Sequence, residues 1–307
     1  MTFTSGNKGS ATMLTILMAA VIITVGLGFS WLVKEHMKAA EGLRNKAEAI
    51  LRARSAYDTI IYFLLNGQVS PGGIAATISD EISGLKWLPL NGQKVPLTDD
   101  LYVQAQDSNG MLSLVSMNPA GLDRLVKNFG GLDDTSGFVN SYLDWVDEDN
   151  FGRVNGAEEF YYKGQGLPYG PRNYAIQYKE EVEWVKGMNK RVYGKIEPFL
   201  TLLPSLGFNP NTASDEVLMA YLNINEESLR NLKDYRSKMA VTSDTELFAL
   251  TGRMISSSGE GVYFFPAPFI EITISAGRPR SIYTIKAGLD MRQNIRSPYG
   301  VLYWREE

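Results

Sequence analysis

Ser10 to Val33 reads SATMLTILMAAVIITVGLGFSWLV, 24 consecutive residues without a formal charge. Wound as a helix at about 1.5 Å per residue, such a run is long enough to cross a hydrocarbon core of about 30 Å. Inside lipid a lone segment must satisfy its own backbone, and a helix does so. The leader before it, Met1 to Gly9 with Lys8 as its one charge, is too short and polar for the n-region of an ordinary cleaved signal peptide. Behind the run, Lys34 to Leu65 keeps a helical period. Met37, Ala40, Leu43, Ala47, Ile50 and Leu51 recur at spacings of three and four, followed by Ile60, Phe63 and Leu64. A single helix from 12 to 65 would be roughly 80 Å long. A separate amphipathic helix after a hinge at Gly26, Gly28 or Gly42 is the other reading.

Composition removes several chemistries. The 307-residue chain has no cysteine, so disulfides, thiolate metal sites and cysteine nucleophiles are excluded. Its one histidine, His36, adjoins the apolar run, which leaves no histidine triad or polyhistidine zinc site. No convergent nucleophile–base set appears, so the chain reads as a non-enzyme, with a membrane-tethered enzyme as a weaker reading. A net charge of −4 does not make a nucleic-acid footprint.

Further along, Gly67 to Gly73 is a turn cluster and Ile74 to Leu88 is weakly patterned. Leu101–Asp107 and Met111–Ser116 alternate like strands around Ser108-Asn109-Gly110, the signature of a hairpin. From Asn118 the pattern is helical. Asn118-Pro119 is an N-cap followed by proline, and Leu122, Leu125, Val126 and Phe129 mark one face. Val139, Tyr142, Leu143 and Val146 mark a second helix, and Leu229, Leu232 and Tyr235 another. Thr212-Ala-Ser-Asp215 and Ser243-Asp-Thr-Glu246 have the spacing of capping boxes. Strands return at Phe269–Ser275, Tyr283–Leu289 and Val301–Trp304. Strands on both sides of a helical block predict an α+β fold: a long N-terminal helix and an antiparallel sheet interrupted by an inserted helical domain. The divisions fall at 1–9 (leader), 10–33 (membrane part of the helix), 34–116 (first part of the sheet domain), 117–254 (insertion) and 255–307 (closing strands).

The sharpest chemical signal is Asp147-Glu-Asp-Asn-Phe-Gly-Arg-Val-Asn-Gly-Ala-Glu158. Calcium takes six to eight oxygens from a loop able to wrap it. Asp147, Asp149, Asn155 and Glu158 fall at the first, third, ninth and twelfth places of an EF-hand-like loop. Gly152 sits at the sixth, and Phe151 breaks the pattern at the fifth. Aspartates at a helix C-terminus are electrostatically misplaced without a cation. A solvated acidic loop is the alternative. Asp144 and Asp147 also form an i, i+3 carboxylate pair, read as a metal-facing or solvated face rather than a catalytic one. Gly164 to Gly170 lacks the context of a phosphate loop.

Several segments together resemble the type II secretion minor pseudopilins of the general secretion pathway protein K family. Lys8-Gly9 before Ser10-Ala-Thr-Met-Leu14 is similar to a leader cut after glycine by prepilin peptidase, followed by methylation of Ser10. Cleavage there makes Leu14 the fifth mature residue, where most pilins carry glutamate; its absence is a trait of the K subunit. Further marks are Leu88-Pro-Leu-Asn-Gly92, Leu143-Asp-Trp-Val-Asp-Glu-Asp149, Gly156-Ala-Glu158, Asn173, Glu181, Val185-Lys-Gly-Met188, Pro198-Phe-Leu-Thr-Leu-Leu-Pro204 and Asn211-Thr-Ala-Ser214.

The resemblance implies a pilin-like domain whose helical insertion binds calcium, with Asn173 and Glu181 as further ligand candidates. It also implies a function: capping and initiating the pseudopilus with minor pseudopilins I, J and H on the inner-membrane secretion platform, for export of folded proteins. An intramembrane carboxylate is costly unless paired, and a tip subunit has no subunit ahead to pair with, which accounts for Leu14. Met37, Leu43 and Ile50 are expected to meet partner helices. The implied location is a single pass through the inner membrane with the bulk in the periplasm. A count of basic residues alone, Lys8 before the span and Lys34, Lys38, Arg44 and Lys46 after it, points the other way. A minor pilin initiating a type IV pilus is the nearest alternative. A membrane-anchored helix-hairpin-helix DNA-binding protein is a more distant one, since neither Leu206-Gly-Phe nor Leu222-Asn-Ile-Asn supplies its glycine pair.

Overall fold

The computed structural model describes residues 8–77, 84–253, 261–278, 282–293 and 295–307. Most of the leader (1–7), part of the weakly patterned stretch (78–83) and the 254/255 boundary lie outside the described residues.

Helix α1, Lys8–Asn66, runs unbroken through Gly26, Gly28 and Gly42 for 59 residues, so the hinged alternative does not hold. At 1.5 Å per residue it is about 88 Å long. Its two halves differ in surroundings. From Ser10 to Glu48 all residues but the half-buried Asn45 are exposed, and Ser10–Val33 lies in the one described helix long and apolar enough to cross a membrane. From Ala49 onward one stripe is buried: Ala49, Ala53, Ala56, Tyr57, Ile60, Phe63 and Leu64. Three alanines at i, i+4 and i+7 remove side-chain bulk where the helix first meets the sheet, so the backbone can approach closely.

Three short strands follow, β1 (Gln68–Ser70), β2 (Gly73–Ala75) and β3 (Trp87–Pro89), paired antiparallel in that order. Next come β4 (Val95–Thr98), β5 (Leu101–Asp107) and β6 (Leu112–Ser113). The predicted hairpin around Ser108-Asn109-Gly110 does not form. Those residues make one 3-10 turn capped by the Asp107 carboxylate, and β6 instead pairs in parallel with β7 (Leu200–Thr201). The main sheet closes with β8 (Phe269–Ala276), β9 (Tyr283–Asp290) and β10 (Gly300–Glu306), in the antiparallel order β10-β9-β8-β5-β4. β5 and β8 pair across the insertion, from Leu101 opposite Ala276 to Asp107 opposite Ile270. The alternation expected of Ile270, Ile272 and Ile274, and of Tyr283, Ile285, Ala287 and Leu289, is real. All are buried, and they form one core with Val103, Ala105 and the α1 stripe.

The insertion holds helices α2 (Pro119–Leu125), α3 (Thr135–Val146), α4 (Glu159–Gly164), α5 (Lys190–Ile196), α6 (Asp215–Leu222), α7 (Glu226–Arg236) and α8 (Asp244–Thr251). It has two cores of its own. One gathers Leu122, Phe138, Tyr142, Trp145, Tyr162 and Ile196; the other gathers Phe208, Val217, Leu218, Leu232 and Leu247. Asn118 and Ser243 cap their helices as their spacing predicts. The box at Thr212–Asp215 is displaced: Ser214, not Thr212, is the N-cap of α6.

Thr212 is used elsewhere, in a joint between sheet and insertion. Asp107, fully buried at the end of β5, accepts at Oδ1 from the N–H groups of Asn109 (3.0 Å) and Ala267 (2.8 Å). At Oδ2 it accepts from the Thr212 hydroxyl (2.8 Å) and Asn209 Nδ2 (3.0 Å). Asn211 extends the joint. Its amide donates to the carbonyls of Val241 and Phe264, and its Oδ1 accepts from the Val241 N–H. One carboxylate thus ties β5, the 209–212 turn and the strand-side return at Ala267. Asn211, Thr212 and Ala213 are themselves buried, which removes them as a phosphate-gripping surface.

Candidate metal centre and assembly face

Helix α3 ends where the acidic loop begins. Leu143 and Asp147 are joined by the last backbone bond of the helix, and Asp144 lies one turn back on the inner side. The fold turns the loop so that single oxygens of Asp144, Asp147 and Glu158 all lie within 4.8 Å of one another. Asp144 is fully buried and Glu158 nearly so. Gly156 permits the approach: a Cβ there would fall 2.0 Å from Asp144 Oδ2.

Carboxylates held this close need positive charge. Arg153 provides some, its Nη1 bonding Asp144 Oδ1 (2.8 Å) and Asp147 Oδ2 while its backbone N–H reaches the Asp144 carboxylate at 3.2 Å. These bonds, Asp147's first, raise the guanidinium pKa further. Arg153 does not satisfy the whole cluster. Both Glu158 oxygens, Asp147 Oδ1 and Asn173 Oδ1 are buried without a hydrogen-bond partner. Burial, then repulsion from Asp144, Asp147 and Asp149, pushes the Glu158 carboxyl up to about 7. A group of buried, under-satisfied oxygens with one arginine among them has the chemistry of a hard-cation site.

The arrangement departs from the EF-hand register expected of the sequence. Asp144, outside that register, joins Asp147 and Glu158. Asp149 lies outside that trio, its Oδ1 accepting from the Phe151 N–H in a local turn, though it is near enough to add to the repulsion on Glu158. The sharp turn falls on Asn155, with φ of 58°, and not on Gly152. Asn173, also left-handed at 51°, donates to the Asp149 carbonyl (3.3 Å) and Asn150 Oδ1 (3.2 Å). Glu181 is engaged with Arg172 in a two-pronged ion pair at 2.6 and 2.7 Å, and also accepts from the Gln177 and Tyr178 N–H groups. The signal for Asp144 was present, in its i, i+3 spacing from Asp147. Its burial was not visible from spacing alone.

The assembly candidates sit on α1. Leu14, Met37 and Leu43 are exposed, as is Leu51. At about 100° per residue, Leu43, Ala47 and Leu51 lie on the side of the helix roughly opposite the Ala49–Ala53–Ile60 stripe. Ile50 lies between these faces and is half-buried against the protein's own core, so it is only partly available to a partner. Gly9 and Ser10 are both within α1.

A family model described as type II secretion system protein K matches residues 104–205, which include the end of β5, the acidic loop and β7. Curated relatives include type II secretion system protein K of Pectobacterium carotovorum subsp. carotovorum and that of Aeromonas hydrophila. Each is 30% identical over 121 residues, covering 38% of this chain and 37% of the relative. The chain thus spans well under half the length of those relatives. The fold is similar to a chain of the crystal structure of the GspK-GspI-GspJ complex from the enterotoxigenic Escherichia coli type 2 secretion system. There the TM-score is 0.57 at 15% identity, covering 90% of this chain and 99% of that one.

Proposed function

We propose, from the match of residues 104–205 to the type II secretion protein K family model, that this chain belongs to that family and works as a minor pseudopilin. In this reading it is a structural subunit and not an enzyme. It sits at the pseudopilus tip, starts assembly with minor pseudopilins I, J and H, and serves export of folded proteins. The single-pass helix anchors it in the inner membrane beside the secretion platform, with the bulk of the chain in the periplasm. The observation that carries the reading is α1. Its apolar first half stands clear of the domain, and its second half shows apolar residues on two opposite faces. One face serves the fold; the other is free for a neighbouring helix.

Calcium is the resident cation of this reading. Asp144, Asp147 and Glu158 would hold it, with Asn173 Oδ1 as a further oxygen donor. Its charge would relieve the repulsion among the carboxylates and fasten the loop to α3.

Leu43→Glu should leave the circular dichroism and melting temperature unchanged, because Leu43 is 73% exposed, and should abolish co-purification with the I and J subunits. Intact co-purification would remove this face as the interface. Co-expression with prepilin peptidase should yield a mature N-terminus at Ser10, methylated. An intact Met1, or cleavage beyond Val33, would refute the pilin reading.

A further inference from the structure

Three side chains on and beside the acidic loop are not used by the fold. Phe151 is 85% exposed, Val154 81% and Phe160 90%; Ile295 aside, no large apolar side chain among the described residues is more exposed. Exposed apolar side chains scattered singly need no explanation, but three within ten residues of one small loop do. The loop doubles back so that a Cβ on Gly152 would lie 3.6 Å from the Glu158 side chain, which places the backbone beside Phe151 close to the start of α4, where Phe160 sits.

The loop is also held. Asn140 Nδ2 donates to the Val154 carbonyl (2.8 Å), and Lys186 Nζ to the carbonyls of Asn155 and Gly156 (3.0 Å each). Asn173 Nδ2 donates to the Asp149 carbonyl. Donors outside the loop thus fix its backbone while its apolar side chains point into solvent. Such a surface binds without the entropic cost of ordering itself. Aromatic residues held in this way are the usual anchors of an interface.

We propose that this loop is a docking knob, and that its partner is a protein surface with an apolar recess bordered by lysine or arginine. Charge selects the occupant. Glu159 is ion-paired with Lys163 (2.6 Å), but Glu148 and Asp149 lie outside the Asp144–Asp147–Glu158 trio and form no ion pair among the described residues, so a cation there leaves these two negative. They repel anionic lipid headgroups, which have the same sign. They also oppose an isologous contact with a second copy, which would set the same acids face to face. A basic rim matches them and steers the encounter.

The test uses the full chain in secreting cells, with benzoylphenylalanine placed at Phe151 or Phe160. One protein should cross-link at both positions, through an apolar residue flanked by lysine or arginine. Glu148→Lys with Asp149→Asn should cut the yield at least tenfold. Phe151→Ser with Phe160→Ser should leave the melting temperature and co-purification with the I and J subunits unchanged and lower secretion at least tenfold. Unaltered secretion, cross-links insensitive to the charge changes, cross-links to a second copy, or Phe151-dependent flotation with phosphatidylethanolamine–phosphatidylglycerol vesicles would each overturn the proposal. If the wild-type chain fails to bind I and J, the pseudopilin reading falls, and the cross-links still decide on the knob.

Discussion

Asp107→Ala should lower the melting temperature of the detergent-solubilised chain by about 10 °C. The substitution removes one buried carboxylate and leaves its donors behind. The N–H groups of Asn109 and Ala267 have no other acceptor in the joint, and the Asn209 amide and Thr212 hydroxyl lose their best one. A buried donor left unsatisfied costs about 1–3 kcal/mol. Two such losses make roughly 4 kcal/mol, and in a chain of this size each kcal/mol shifts the midpoint by about 2–4 °C. Asp107→Asn should not rescue, because its new NH2 faces donors. Thermal melts of both variants decide the matter; a shift of under about 3 °C would mean the joint does not hold sheet to insertion.

The second large effect is calcium's. An ion that binds only the folded loop stabilises the chain by about 2.7 kcal/mol at one hundred times its Kd, a rise of about 5–10 °C by the same conversion. A chelator should reverse the rise, and Asp144→Asn with Asp147→Asn should abolish it. Arg153→Met should enlarge it, since Arg153 and the ion bind the same two carboxylates. The pH dependence has a definite sign. Glu158, at about 7 when folded against 4.5, and Asp107, at about 6 against 3.8, both hold their protons more tightly in the fold. The stability they contribute is full below pH 4 and lost as pH rises through 6 to 7. The chelated chain should therefore melt lower at pH 8 than at pH 5, and the calcium response should be larger at pH 8, where Glu158 is ionised. A flat calcium response in melts and in calorimetric titration would reduce the loop to a solvated acidic turn.

What the sequence revealed follows the range of the interactions concerned. Strands β8 and β9 could be read from their alternation, and α1 from its period, because each pattern lies within one element. The helix's faces were harder. The larger apolar residues Met37, Leu43 and Ile50 suggest one outward side, yet Ile50 packs on the protein's own core, and the domain-facing stripe begins with alanines, whose small side chains give little apolar signal. Asp107 was not legible at all. Beside Ser108-Asn109-Gly110 it looked like the end of a hairpin strand, and its real partners lie 102 to 160 residues downstream. The metal candidates were half legible: the loop could be located, but a register copied from an EF-hand cannot reveal that α3 buries Asp144.

An unbroken helix couples height to heading. Between Val33 and Ala49, α1 makes no turn or joint that could absorb a change in length. Removing two residues from that stretch lowers the domain by about 3 Å and swings it through roughly 200°, presenting its back to whatever its front had met. Removing seven lowers it by about 10 Å and restores its bearing to within roughly 20°. The spacer thus acts as a screw thread, and its tolerance of deletions should be periodic rather than graded.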